Sequence, residues 1–492
     1  MRILSLNLKP RVPFIGNTNP EVIKVEAYGR LFAYDVNSMA VALLDSEQEF
    51  DKLRDDKQGW FWYRAKPNFP YGMPGAIGTI VFEATHKCDL RCHYCFVREF
   101  YPDDADLSFD AAKQVIDAFA VDGQTNSLGF FGGEPLMAWD LVLQVHAYAT
   151  AKLRNPLSWS MTTNGTLLTP KRASWLARNR FGFIVSLDGN EQHNVLRETV
   201  DGRNSYKLVR RGLGLLRDAG ISNYTLRGTF TARILDENNP NAVVDRIEHL
   251  NQLCDEGFGN HVSVEPVDLS ESRCIGKKDE KFETRDKDKL LSSFSEMYYQ
   301  VAQWFVRRAR EGKKPRFHHM GKLFQRLLYA QHGASECGAG HGYLSVSSNG
   351  DLYACHREQS SYVGNIWKGG IDERLRAKWL DNRLYQREQC PTCPIRWWCG
   401  GGCREASVGA YGNIARPVEI DCAFKWLWFK AQLWVMSELD PSVLRSVLPD
   451  PGAQAGRGRG PSTSVPTSRP MPRAILSSPQ SKCGICNVCE KK

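Results

Sequence analysis

From residue 78 to residue 268 the chain alternates short β-branched or aromatic runs with amphipathic stretches, and no other feature limits its fold so strongly. Residues 79–84, 127–131, 159–163, 183–187, 224–231 and 261–266 read as strands; 109–120, 141–152, 170–177, 206–219 and 242–254 read as helices between them. Strands joined through helices pair in parallel, because a parallel neighbour is reached only by a long crossover. The expected fold class is α/β, either a barrel or a doubly wound sheet. In both, functional groups gather at the C-terminal ends of the strands.

The flanks differ from this block, which spans 76–270. Residues 1–75 hold three strand-like runs (22–28, 31–34 and 39–44) and read as a small strand-rich N-terminal accessory domain. Residues 271–336 read as a helical bridge, with two helices in 286–332. Residues 337–440 are rich in Gly and Cys with weak periodicity, as expected of a domain stapled by metals rather than by a large core. Residues 441–492 read as a disordered basic tether: 447–482 hold seven Pro, and the chain then runs Cys483-Gly-Ile-Cys486-Asn-Val-Cys489.

With 492 residues, 42% of them hydrophobic, there is ample material for a large core. No apolar run approaches the roughly 18–20 residues of a bilayer span, and the start shows no signal-type apolar segment. No membrane association is expected, and the expected location is cytoplasmic. The net charge is +9, but residues after 440 carry eight Lys/Arg against two Asp/Glu, which leaves +3 on the body. No basic stripe points to nucleic acid.

Fifteen cysteines are informative in such a chain. A reducing compartment disfavours disulfides, so clustered cysteines point to metal. The first cluster, Cys88-x3-Cys92-x2-Cys95, falls in the loop after the first strand of the α/β block. Three thiolates can hold three irons of a cubane and leave the fourth open to a ligand; the spacing also suits zinc. The second strand ends in Phe131-Gly132-Gly133-Glu134-Pro135 and the third in Thr163-Asn164-Gly165. The fourth ends in Ser186-Leu187-Asp188-Gly189, followed by His193 and Arg197.

In this order the motifs resemble the radical S-adenosylmethionine (SAM) superfamily, whose signature is a CxxxCxxC loop after the first barrel strand. An aromatic residue, here Tyr94, commonly precedes its last cysteine. The resemblance implies a partial (β/α)6 TIM-type barrel. It also implies a [4Fe-4S] cluster on Cys88, Cys92 and Cys95, with S-adenosyl-L-methionine on the open iron. Gly132 and Gly133 would let backbone approach the cofactor's ammonium, and Glu134 would complement its charge. Tyr94, Asn164, Ser186 and Arg197 complete the cofactor-binding set, the serine on the ribose and the arginine on the carboxylate. Arg197 lies one residue nearer the serine than the family pattern places it. Reductive cleavage would give a 5′-deoxyadenosyl radical that abstracts hydrogen from an unactivated carbon.

A second ordered set comprises Cys337-x12-Gly350-x4-Cys355, then Cys390-x2-Cys393-x5-Cys399-x3-Cys403, then Cys422. It resembles the SPASM extension of peptide-modifying radical enzymes, which implies two auxiliary [4Fe-4S] clusters. One would lie on Cys390, Cys393, Cys399 and Cys422, the other on Cys337, Cys355 and Cys403. Paired zinc sites are the alternative. Some relatives supply a fourth ligand to the second cluster six residues before the first of these cysteines, where this chain has Gln331. Cys254 or Cys274 could serve instead, or the site could stay open. Anaerobic sulfatase-maturating enzymes place a proton-accepting aspartate directly after the second cysteine of the set. Here that position is His356, which is a candidate catalytic base or a structural histidine.

The N-terminal segment around 31–44 looks like the leader-binding segments of maturases of ribosomally made peptides, where a sheet edge accepts a strand; a plain cap on the barrel is the other reading. The implied function is a radical SAM peptide or protein maturase with a flavodoxin- or ferredoxin-like electron donor. The alternatives are a formylglycine-forming sulfatase maturase and a zinc-stapled binding protein. The tail cysteines could hold a further cluster or zinc, lend a ligand to an auxiliary site, or imitate a substrate.

Overall fold

The computed structural model describes residues 2–4, 22–55, 77–100, 105–125, 127–267, 282, 285–329, 331–333, 337–357, 359–380 and 384–448. Cys274 and the tail cysteines fall outside these residues.

The chain opens with an antiparallel sheet of β1 (Arg2–Ile3), β2 (Val22–Ala27), β3 (Arg30–Asp35) and β4 (Val41–Leu44), in the order β1-β4-β3-β2, followed by α1 (Glu47–Asp55). Six strands then lie side by side in chain order and pair in parallel: β5 (Thr79–Thr85), β6 (Ser127–Gly132), β7 (Ser158–Thr163), β8 (Gly182–Ser186), β9 (Tyr224–Phe230) and β10 (His261–Pro266). Between them run α2 (Phe96–Phe100), α3 (Phe109–Phe119), α4 (Trp139–Lys152), α5 (Pro170–Arg178), α6 (Tyr206–Asp218) and α7 (Ala242–Asp255). This is the α/β fold expected, a partial (β/α)6 barrel, with strand ends within two residues of those read from periodicity.

Local chemistry explains several helix starts. The Ser108 side chain accepts from the Ala111 amide to cap α3, and Thr169 caps α5 in the same way with Pro170 in its first turn. Strand β9 alternates buried and half-buried residues along its whole length. The core fills from Phe82, Phe130, Met161, Val185, Leu226 and Val264 on the sheet and from Val115, Val142, Leu213 and Leu250 on the helices.

After β10 come two helices, α8 (Lys287–Arg310) and α9 (His318–Leu328). The Cys-rich region contains more sheet than its weak periodicity suggested. Strands β11 (Tyr343–Val346), β12 (Asp351–Tyr353), β13 (Tyr362–Asn365) and β14 (Gly370–Ile371) extend the barrel sheet on its other edge. There β11 pairs in parallel with β5, Tyr343 opposite Thr79 through Val346 opposite Phe82. The reason is elementary: β5 would otherwise leave a row of unpaired amides and carbonyls along its edge.

Helices α10 (Glu373–Leu380), α11 (Arg396–Cys399), α12 (Arg404–Tyr411), α13 (Glu419–Glu438) and α14 (Pro441–Val447) follow. The aromatic helix α13 carries Trp426, Trp428 and Trp434. It lies along α8, with Trp428 stacked on Tyr298 at 3.9 Å and Phe424 on Phe294 at 4.2 Å between ring centroids. Its Phe429 also meets Tyr34 of the N-terminal sheet edge-on. Each such ring contributes roughly 2–3 kcal/mol by burial. No helix among the described residues is long and apolar enough to cross a membrane.

Candidate active site at the mouth of the barrel

The cysteine loop leaves β5 and is pinned from three sides. The Gly133 amide donates to the Thr85 carbonyl (2.7 Å) and the Glu134 amide to the Lys87 carbonyl (2.8 Å). On the opposite flank the Arg91 and His93 amides donate to the carbonyls of Glu198 and Leu196. The structure shows a steric requirement for the paired glycines. A Cβ on Gly132 would stand 2.3 Å from the Thr85 carbonyl oxygen, and one on Gly133 would stand 2.2 Å from that of Lys87. What comes close to these glycines is the cysteine loop's own backbone.

Glu134 is fully buried. One carboxylate oxygen accepts from the Leu136 amide (3.0 Å) and the Thr163 hydroxyl (2.7 Å), the other from the Asn164 amide (2.8 Å). The side chain thus clips the end of β6 to the end of β7. Burial pushes its pKa up to about 7 against these hydrogen bonds. Asn164 in turn donates to Asp89 (2.8 Å) and points its amide at the Cys88 sulfur (3.9 Å), while its oxygen accepts from Thr166. The Thr166 hydroxyl also donates to Asp89.

Tyr94 donates to Asp188 (2.5 Å) and accepts from Arg197 (3.0 Å). Asp188 and Arg197 are buried, and the other Asp188 oxygen accepts from the Thr229 amide (2.9 Å). Asp188, and Asp89 and Thr166 beside Asn164, went unassigned in the sequence. Their signal was present, since Asp188 follows Ser186 in the strand-end motif, but the hydrogen-bond partners come from distant loops. Ser186 ends β8 opposite Arg227 of β9. Arg227 pairs with Glu265 of β10 (2.5 Å), and that cation, with help from His319 and Ser263, holds Glu265 well below the usual carboxylate range.

None of the eleven described cysteines is joined in a disulfide. Cys88, Cys92 and Cys95 come together in the one loop, half-buried, with a turn in which the Cys95 amide donates to the Cys92 carbonyl. Burial pushes the Cys92 thiol up to about 11, while nearby Arg197 pulls the other way. A bound iron would override this, since metal ligation deprotonates a thiol outright. The residues fit a cluster with a charged ligand: Arg197 Nε is buried with no hydrogen-bond partner among the described residues, a donor suited to a carboxylate.

In the Cys-rich region Cys390, Cys393, Cys399 and Cys422 line one pocket with Arg396 and Lys425, whose charge suits an anionic cluster. A separate group contains Cys337, Cys355 and Cys403. Arg404 donates to the Cys337 sulfur (3.7 Å), and the buried Glu405 lies 3.6 Å from the Cys403 sulfur. The sequence reading overlooked Glu405, two positions after a cysteine. Cys254, considered as a ligand here, instead lies on α7 and is buried against the core. Single-ion binding by three or more His, Cys, Asp or Glu side chains is not found among the described residues.

His356 links the two regions. Its Nδ1 lies 2.5 Å from the Tyr343 hydroxyl, and its ring meets Phe131, just before Gly132, edge-on at 4.5 Å. Burial, with Arg357 nearby, pulls the imidazole down to about 3.

Comparison with known proteins agrees with this geometry. Residues 82–260 match the Radical SAM superfamily. The chain is similar to the radical SAM cyclopropyl synthase TigE of Paramaledivibacter caminithermalis, 24% identical over 69% of this chain and 70% of the relative. It is similar to a cysteine-type anaerobic sulfatase-maturating enzyme of Clostridium perfringens, 24% identical over 67% and 89%. A third relative is the mycofactocin maturase MftC of Mycolicibacterium smegmatis, 25% identical over 70% and 82%. The solved structure of native anSMEcpe with bound AdoMet shares the fold, with a TM-score of 0.58 at 18% identity over 73% of this chain and 98% of that one. Such a domain implies a [4Fe-4S] cluster and S-adenosylmethionine. With its cysteine loop held against the Gly-Gly turn at the barrel mouth, and with enzymes as relatives along two thirds of its length, the chain is an enzyme that carries a radical SAM domain over residues 82–260.

Proposed function

We propose that this enzyme is a maturase of a ribosomally made peptide or protein, installing a crosslink or a related modification. The reading rests on the cysteine loop at the barrel mouth coupled, through β11 and His356, to a region able to hold two further clusters. The relatives TigE and MftC, a cyclopropyl synthase and a mycofactocin maturase, support it. When bound, the cluster and S-adenosylmethionine supply a 5′-deoxyadenosyl radical generated by one-electron reduction.

The chain's own residues hold and orient these groups. Cys88, Cys92 and Cys95 ligate the cluster, and the Asn164 amide aimed at the Cys88 sulfur tunes its potential, as hydrogen bonds to cluster sulfurs do. Arg197, kept in place by Tyr94, binds the cofactor's carboxylate, and Ser186 the ribose. Gly132, Gly133 and Glu134 fix the loop, and the two glycines let backbone reach the cofactor's ammonium while Glu134 complements its charge. Cys390, Cys393, Cys399 and Cys422 ligate one auxiliary [4Fe-4S] cluster, while Cys337, Cys355 and Cys403 ligate the other. His356 orients the wall between them through Tyr343 and Phe131. We assign residues 1–75 to substrate recognition, 76–270 to the barrel, 271–336 to a bridge, 337–440 to the auxiliary clusters and 441–492 to a tether. A flavodoxin- or ferredoxin-like protein serves as electron donor.

The test is anaerobic reconstitution with iron and sulfide, followed by dithionite, S-adenosylmethionine and candidate precursor peptides. Formation of 5′-deoxyadenosine, abolished by Cys88→Ala, Cys92→Ala and Cys95→Ala together, and a peptide product lighter by two hydrogens with a new bond support the reading. A formylglycine aldehyde on a sulfatase-type Cys or Ser peptide would replace it with sulfatase maturation. Zinc with little iron would replace it with a binding protein.

A further inference from the structure

Two charges stand on the inner face of the barrel without a part in holding the cluster or the cofactor. Along β9 the even-numbered residues turn outward: Phe230 stacks on Phe294 of α8, and Leu226 is sealed in the core. Arg227 is half-buried and alternates with them, so it points into the barrel. It stands level with Ser186, the last residue of β8, and with Ser263 of β10. Its Nη2 donates to Glu265 (2.5 Å), and the other oxygen of Glu265 accepts from Ser263 (2.8 Å). Nothing else among the described residues accepts from this guanidinium, and the Arg227 side chain is 33% exposed. An ion pair that served packing alone would be closed off, because a barrel interior is normally filled by apolar side chains. The opposite wall adds a second cation. The charges of Arg227 and Arg357 both reach Glu265, and both reach His356, whose ring meets Phe131 at 4.5 Å. Around this space two guanidiniums meet one carboxylate, since the buried Glu83 of β5 is turned to Ser345 of β11 (3.0 Å).

We infer that Arg227, with Arg357 nearby, receives a carboxylate of the peptide substrate, either an acidic side chain or a free C-terminus, and so fixes which residue of the peptide faces the cofactor. The inference rests on the maturase reading above and narrows its substrate class. Its physical basis is the unfinished guanidinium. Arginine presents five N–H donors in a planar fork, and a carboxylate is the acceptor whose shape and charge match that fork. Glu265 takes one donor and acts as a positioning residue, pinning the guanidinium at the mouth while Ser263 holds it in turn. The positive charge left over falls to the ligand. A neutral peptide group gains the hydrogen bonds alone, whereas an anion also gains the charge, in a space screened less than bulk water. Ser186, level with Arg227 on the next strand, is assigned to the cofactor's ribose. A carboxylate held on Arg227 therefore brings the neighbouring carbons of the peptide up to the cofactor.

The test uses the full chain, reconstituted anaerobically with iron and sulfide and loaded with S-adenosylmethionine, and three pools of N-acetylated random octapeptides. One pool contains Asp and Glu and ends in an amide. The second lacks both and ends in a free acid; the third lacks both and ends in an amide. Retention of each pool on the immobilised protein is read by mass spectrometry, and cofactor affinity is measured in parallel by calorimetry. The parent retains an acid-bearing pool about tenfold or more over the neutral one, and which of the two it prefers identifies the source of the carboxylate. Arg227→Gln abolishes the preference, Arg227→Lys keeps part of it, and neither changes cofactor affinity. Arg227→Gln combined with Glu265→Gln leaves no lone charge to disturb folding, and it loses the preference too. Equal retention of the three pools by the parent overturns the inference. So does a preference that survives both Arg227→Gln and the double variant, or a loss of cofactor affinity in both, which assigns the guanidinium to the cofactor. Retention of no pool overturns it as well, and only that outcome, joined to the absence of product from every precursor peptide, also removes the maturase reading.

Discussion

Alanine at position 133 is a local perturbation whose cost follows directly from distances. The added Cβ would stand 2.2 Å from the Lys87 carbonyl oxygen and 2.6 Å from that of His86. The Gly133 backbone lies outside the left-handed region, so contact alone sets the penalty. Favourable packing needs about 3.5 Å, so the cysteine loop must retreat by about 1 Å. Overpacking of this kind costs about 1–3 kcal/mol. The retreat also strips the 2.8 Å hydrogen bond from the Glu134 amide to the Lys87 carbonyl, worth about 1 kcal/mol. The total, about 2–4 kcal/mol, is concentrated in one loop. Hydrogen exchange on the full chain should therefore show residues 86–95 exchanging roughly 30- to 900-fold faster, with less iron retained after reconstitution. Gly214→Ala is the control: Gly214 lies on α6 with nothing within 4 Å of an added Cβ, and the change stabilises by up to about 1 kcal/mol. If Gly133→Ala matched the parent in loop exchange and iron content, the steric account of the glycine pair would be wrong.

Tyr94→Phe leaves the buried Asp188 and Arg197 each short of a hydrogen bond, costing about 1.5–3 kcal/mol. Calorimetric titration should find S-adenosylmethionine bound about tenfold more weakly or worse. His193 is held neutral, its pKa pulled down to about 4 chiefly by burial, and its Nδ1 accepts from the Asn190 amide. Its unfolded value is near 6.5, so its contribution is fully present above that pH and is lost as pH falls from there toward about 4. His193→Asn should flatten the pH dependence of denaturation midpoints across that window. If the proposed cluster sits on Cys390, Cys393, Cys399 and Cys422, chelating its iron should loosen residues 384–403, and limited proteolysis should then cut there first.

The strands and helices of the barrel were legible because each carries its own period, 2 or 3.6 residues, and its own punctuation, as at Ser108 and Thr169. The strand-end motifs were legible because topology sends such residues to one mouth. What escaped was set by contacts between distant segments. The pairing of β11 with β5 depends on an open edge, which no local pattern records. Likewise, nothing in the motif around Glu134 records the bonds its carboxylate accepts from Thr163 and Asn164, about thirty positions on. Glu405 gave only a spacing of two from a cysteine, and its burial beside that sulfur arises from the way α12 begins.

The N-terminal sheet has a consequence for how the chain is made. Its inner face is covered late: Phe429 packs on Tyr34, Glu438 binds Arg30, and the Ser295 carbonyl accepts from Tyr28. During synthesis these early strands emerge hundreds of residues before the helices that shelter them. Until then the nascent protein carries an apolar surface that a chaperone must shield, and the finished enzyme is fastened between segments about four hundred residues apart.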